Sequence, residues 1–103
     1  MCSIDQETVF DSFDWMIKVN FVSALISSHI AAHHLEKNGL LVLTGAQFPY
    51  FNIDPSMLTY SLSKNLVHNL HLNLARSPQY EDKNFLTILP TIIDTPANRK
   101  AMP

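Results

Sequence analysis

Leu40-Leu41-Val42-Leu43 is a short apolar run that directly follows Asn38-Gly39. A run this short, set off by a glycine, reads as a β-strand covered on both faces, as in parallel sheets. Upstream, from Asp11 to about Lys37, no proline or glycine interrupts the chain, and Phe13, Ile17, Phe21, Ala24, Leu25 and Ser28 recur at helical spacing. That span predicts a long helix, opened by Asp11 or Ser12 as cap and closed by Asn38-Gly39. Downstream, residues 44–55 carry Gly45, Pro49, Asn52, Asp54 and Pro55 and read as an irregular loop. A second helix is expected from about Ser56 to Arg76, with Leu58, Leu62, Leu66, Leu70 and Leu74 spaced four apart and Ser77-Pro78 as its stop. Residues 79–84 read as a polar loop, Phe85 to Leu89 as a second buried strand, and Thr91 to Pro103 as a loop. The order helix-strand-helix-strand predicts an α/β fold, a partial Rossmann-like unit with parallel strands joined by a right-handed crossover.

The chain has 103 residues, which suggests one small domain with a modest core. Its hydrophobic fraction of 47% and charged fraction of 16% are those of a folded protein rather than a disordered one. A formal net charge of −2 gives no reason to expect a nucleic acid or an anionic membrane as partner. No uninterrupted apolar stretch in the sequence reaches the roughly 20 residues that span a bilayer, so no membrane is expected. The single cysteine, Cys2, cannot pair within the chain. A reducing compartment, and hence a cytoplasmic location, is the expectation.

The second helix contains Tyr60-Ser61-Leu62-Ser63-Lys64. Four residues apart, Tyr60 and Lys64 share a helix face one turn from each other. A nearby ammonium stabilises a phenolate, so the tyrosine pKa is expected to fall toward working pH. Such a phenol can exchange a proton while a carbonyl or imine is reduced. The lysine brings three donors suited to sugar hydroxyls. The pair alone is weak, because an aromatic beside a solvated lysine is common on helices. Its place gives it weight: it sits near the start of a helix after a strand and a loop, at the end of a parallel sheet where α/β proteins bind ligands.

On these residues the sequence resembles the short-chain dehydrogenases/reductases, whose active-site signature is Tyr-x-x-x-Lys on the corresponding helix. Lys18-Val19-Asn20 resembles that family's asparagine-bearing helix segment, and Pro90-Thr91-Ile92-Ile93-Asp94-Thr95 resembles its proline-to-threonine loop. The likeness is strongest to the pterin-reducing branch of the family. It is carried there by Ser27-Ser28-His29-Ile30-Ala31, Gly39-Leu40-Leu41, Gly45-Ala46, and most specifically by Asp94-Thr95-Pro96-Ala97-Asn98-Arg99-Lys100. It covers residues 14–103. The wider family has a serine before the tyrosine; here that stretch is Thr44-Gly45-Ala46-Gln47, and the pterin-reducing branch also lacks the serine.

The resemblance implies an NADH-dependent reduction of quinonoid dihydropterin to tetrahydropterin, as in tetrahydrobiopterin regeneration, with NADPH as the other possible donor. It implies Tyr60 as the group that orients and protonates the pterin, and Lys64 as the partner that tunes it and holds the nicotinamide ribose. Asn20, Pro90, Ile92 and Thr95 would serve the cofactor, and Asn98 the pterin. It also implies a homodimer built through helices near 11–36 and 56–76. The family's glycine-rich phosphate turn has no counterpart, since Gly39 and Gly45 are the only glycines. The expectation is one partial domain over 1–103, truncated at both ends, that alone binds NADH poorly and is weak or inactive. The alternative is a non-catalytic remnant that dimerises through its two helices. His29 and His33, and His68 and His71, are spaced as metal ligands sometimes are, but no glutamate or cysteine accompanies them and no metal site is expected.

Overall fold

The computed structural model describes residues 3–47, 53–91 and 95–101. Helix α1 spans Val9–His34, strand β1 Leu40–Thr44 and helix α2 Leu58–Arg76. Strand β2 spans Asn84–Ile88, and a short helix α3 spans Pro96–Ala101. Single 3₁₀ turns at Pro55–Met57 and Pro78–Tyr80 flank α2. The two strands pair in parallel, Leu41 opposite Phe85 and Leu43 opposite Thr87, across the α2 crossover. This is the α/β, strand-helix-strand arrangement expected of a partial Rossmann-like unit.

Helix α1 starts earlier than expected. Thr8 occupies the cap position with no side-chain capping bond, and Ser12 bonds across to Thr59 at 2.8 Å. The helix also ends earlier, because Leu35 is already extended. Asn38 therefore does not close the helix. It takes a left-handed φ of 66° in the turn that leads into β1, and its N–H donates to the Asp82 carbonyl. The middle of α1, Ile17–Val22, is π-helical. One extra residue per turn there shifts the face that carries Asn20, and such turns recur at functional sites. Ser23, Ser27 and Ser28 each bond a carbonyl four residues back, an alternative use of the ladder that bends helices.

By length and composition alone α1 is long and apolar enough to cross a membrane, its most apolar 18-residue window having a mean hydropathy of 1.2. Ser12 and Asn20, in its first half, bond side chains of α2.

The strands are covered on one face only, which corrects the sequence reading. Leu41, Leu43 and Phe85 turn toward the helices, whereas Leu40, Val42, Leu86 and Ile88 are exposed. Among the described residues no second layer lies over that face. The leucine stripe of α2 is only in part its core face, through Leu70 and Leu74. A spacing of four drifts around a 3.6-residue helix, and Leu62 and Leu66 end up exposed. The inward face is Thr59, Ser63, Val67, Leu70 and Leu74, stepping by four and three. Leu43, Val67 and Leu74 form the core, with Phe21, Ala24, Leu41, Tyr80 and Phe85 packed around them. The tail after β2 also departs from a plain loop, since Pro96 opens α3 with the fixed φ that suits a first helical residue.

Candidate active site

Tyr60 and Lys64 lie on the first turns of α2, next to the carboxyl end of β1. Asp54 starts this region by accepting from both the amide and the hydroxyl of Ser56, so the chain enters α2 in one direction. Those bonds hold the Asp54 carboxyl below the usual carboxylate range. Lys64 is half-buried, and its ammonium donates to the Thr44 carbonyl at 3.2 Å, the last residue of β1. One of its three donors is thus spent, leaving two for a ligand. Burial pushes its pKa down.

Tyr60 corrects the electrostatic expectation. Its pKa is raised, not lowered, and the cause is burial. The phenol therefore stays protonated at neutral pH.

Asn20 lies in the π-helical turn of α1, and its amide donates to Ser63 Oγ at 3.0 Å. The same hydroxyl donates to the Tyr60 carbonyl at 2.7 Å. A chain of bonds thus runs from the middle of α1 to the backbone of the tyrosine. Ser63 is fully buried, so each bond has little competition from water. Asn20, Ser23, Ser27, Thr44 and Lys64 line one open groove between α1 and β1. That set of ammonium, amide and hydroxyl groups fits a hydroxyl-bearing ligand such as a ribose.

The remaining expected site residues are less concentrated. The Pro90 carbonyl accepts the Gln47 amide at 3.2 Å, which places it beside the β1 exit. Thr95 is half-buried, and its carbonyl accepts the Arg99 amide inside α3. Asn98 lies on α3, but its side chain lies outside the described residues. Ile92 also lies outside them. Among the described residues, no group of three or more His, Cys, Asp or Glu side chains could hold a metal ion. Sequence reasoning gave Ser63 no role and weighed His68 only as a metal ligand. Both follow Tyr60 on α2, at three and eight residues, and that spacing is the signal that would have found them. His68 is buried, and its Nε2 accepts the Ala46 amide at 3.1 Å.

No family profile matches the chain. A curated protein named dihydropteridine reductase, from Dictyostelium discoideum, is 39% identical to it over 89 residues. That match covers 84% of this chain and 38% of the relative, so the chain spans well under half the relative's length.

Proposed function

Because this chain is a homologue of dihydropteridine reductase, we propose that it carries the Tyr60–Lys64 part of a nicotinamide-dependent pterin reductase site. The observation that carries the reading is the Lys64 bond to the Thr44 carbonyl at the end of β1. It sets an ammonium with two unspent donors beside a groove lined by Asn20, Ser23 and Ser27. A ribose hydroxyl suits those donors. Lys64 and Asn20 would hold the nicotinamide ribose, with Pro90, Ile92 and Thr95 serving the carboxamide end and Asn98 the pterin. A bound reduced nicotinamide supplies the hydride. The chain's own task is to hold a pterin near Tyr60 and supply a proton from its hydroxyl. Burial keeps the Tyr60 phenol protonated at neutral pH but also makes it a weaker acid, so proton transfer would rely on its placement against the pterin.

A quinonoid dihydropterin is the proposed substrate and NADH the proposed donor, with NADPH as the alternative. The test is turnover of NADH with quinonoid dihydropterin, for the chain and for Tyr60→Phe. Slow turnover that the substitution abolishes supports the reading. Turnover unchanged by it contradicts the assignment of Tyr60.

A second reading is a non-catalytic protein that dimerises through residues 11–36 and 56–76. Exposed apolar side chains on both helices favour it: Phe10 is 83% exposed, Trp15 64% and Leu62 43%. No turnover, no thermal shift with NADH and a stable dimer in sedimentation would select it.

A further inference from the structure

We infer that His68 is a positioning residue: its neutral Nε2 holds the Ala46 amide, and with it the turn at the end of β1, against the helix that carries Tyr60 and Lys64. Its effect on reduction rests on the reductase reading; the clamp itself does not.

The turn shows why a side chain is needed there. Gly45 and Gln47 donate their amides to Ile88 and Pro90, which continues the ladder to β2. Ala46 lies between them and is itself buried. Its N–H donates to His68 instead. A buried amide without an acceptor is costly, so the imidazole stabilises this backbone path. Two residues earlier, the Thr44 carbonyl accepts from Lys64. The side chains of Lys64 and His68, one helical turn apart, thus grip opposite polarities of the same short stretch. His68 sets the height at which Lys64 meets the groove.

Gly45 admits the ring. A Cβ at that position would overlap His68 Nε2 and crowd the Leu89 side chain, so only glycine leaves room for the contact. The acceptor role also requires an uncharged ring, since an imidazolium has two donors and no acceptor. Burial lowers the His68 pKa, and the positive charge of Lys64 and then His71, both on α2, adds to the effect. From β2 and its exit, Thr87 and Leu89 share a cavity with it and bring no charge. From the β1 exit, the contacting residues are Gly45 and Ala46, also uncharged.

The experiment is amide hydrogen exchange on the isotope-labelled full chain, corrected for intrinsic rates, in wild type, His68→Leu, His68→Gln and Gly45→Ala. Loss of one hydrogen bond should speed Ala46 exchange about tenfold in His68→Leu and Gly45→Ala, with Val67 and Leu74 unchanged. His68→Gln retains an acceptor and should restore most of the protection. Where His68→Leu fails to fold, an acid titration of wild type replaces it. The Ala46 amide resonance should then move with a midpoint below the ordinary histidine value. Ala46 exchange that ignores both the Leu variant and acid overturns the clamp. In turnover assays His68→Leu should raise the NADH KM more than it lowers kcat, with rescue in His68→Gln. Equal kcat and KM in all variants would overturn the positioning role. Absent turnover in every protein, with Ala46 still tracking the acceptor, counts against the reductase reading and for the clamp.

Discussion

Asn20 and Ser63 are joined by a 3.0 Å hydrogen bond across 43 residues of sequence, and Ser63 passes the connection to the Tyr60 carbonyl. The π-helical turn that carries Asn20 is thereby fastened to the helix that carries the tyrosine. Removing the hydroxyl takes the partner from a half-buried Asn20 donor and from the Tyr60 carbonyl. Ser63→Ala should therefore destabilise the chain by about 1–3 kcal/mol in urea unfolding. A cycle with Asn20→Ala should return a coupling energy of about 0.5–3 kcal/mol. Additive effects would mean that the two side chains do not act on each other.

The core is small and one-sided, so its members differ sharply in cost. Leu43→Ala removes a side chain that is 5% exposed at the centre of the cluster. It should cost about 2–5 kcal/mol. Leu62→Ala, on the exposed side of α2, should stay within about 0.5 kcal/mol. Chemical denaturation of both variants, side by side, checks the assignment of the α2 faces. The comparison is made at protein concentrations low enough to keep the chain monomeric, where a larger cost at Leu62 would mean that it packs within the chain.

Acid should weaken the fold through His68. Its folded pKa is lowered from the ordinary 6.5, first by burial and then by the charges of Lys64 and His71. As pH falls below 6.5 the unfolded chain binds this proton first, so stability declines until the folded ring also protonates. The His68 contribution is fully present above 6.5 and lost as pH falls through the lower folded pKa. Thermal unfolding followed from pH 8 to about pH 5 should show a falling Tm, and His68→Gln should flatten the slope.

Self-association is the next expectation. Phe10, Phe13, Leu58 and Leu62 line a shared apolar groove where α1 meets α2, and Phe10 and Leu62 are exposed along it. Uncovered apolar area of this kind favours association. Sedimentation should show a dimer for the wild type and a monomer for the double variant Phe10→Ser with Leu62→Ser. A wild type that stays monomeric would remove the helix-mediated dimer.

Much of this arrangement can be read from residues alone. The run Leu40-Leu41-Val42-Leu43 and the Tyr60–Lys64 spacing place a strand, a crossover helix and a pair of functional groups, because local periodicity determines them. What the pattern cannot carry is anything set by a neighbour. Whether Leu40 and Val42 are covered depends on a second layer, not on their own hydrophobicity. The direction of the Tyr60 pKa depends on how deeply the folded chain buries the ring, and burial raises it. Ser63 and His68 look like ordinary helix residues until Asn20 and Ala46 arrive from distant parts of the chain.

The central claim is that Lys64 and the groove beside it receive the nicotinamide ribose. The most direct test is an NADH titration of the isotope-labelled chain followed by amide and lysine side-chain resonances. Weak binding is expected, with shifts concentrated at Asn20, Ser23, Thr44 and Lys64 and lost in Lys64→Met. Shifts that avoid these residues, or that survive unchanged in Lys64→Met, would contradict it.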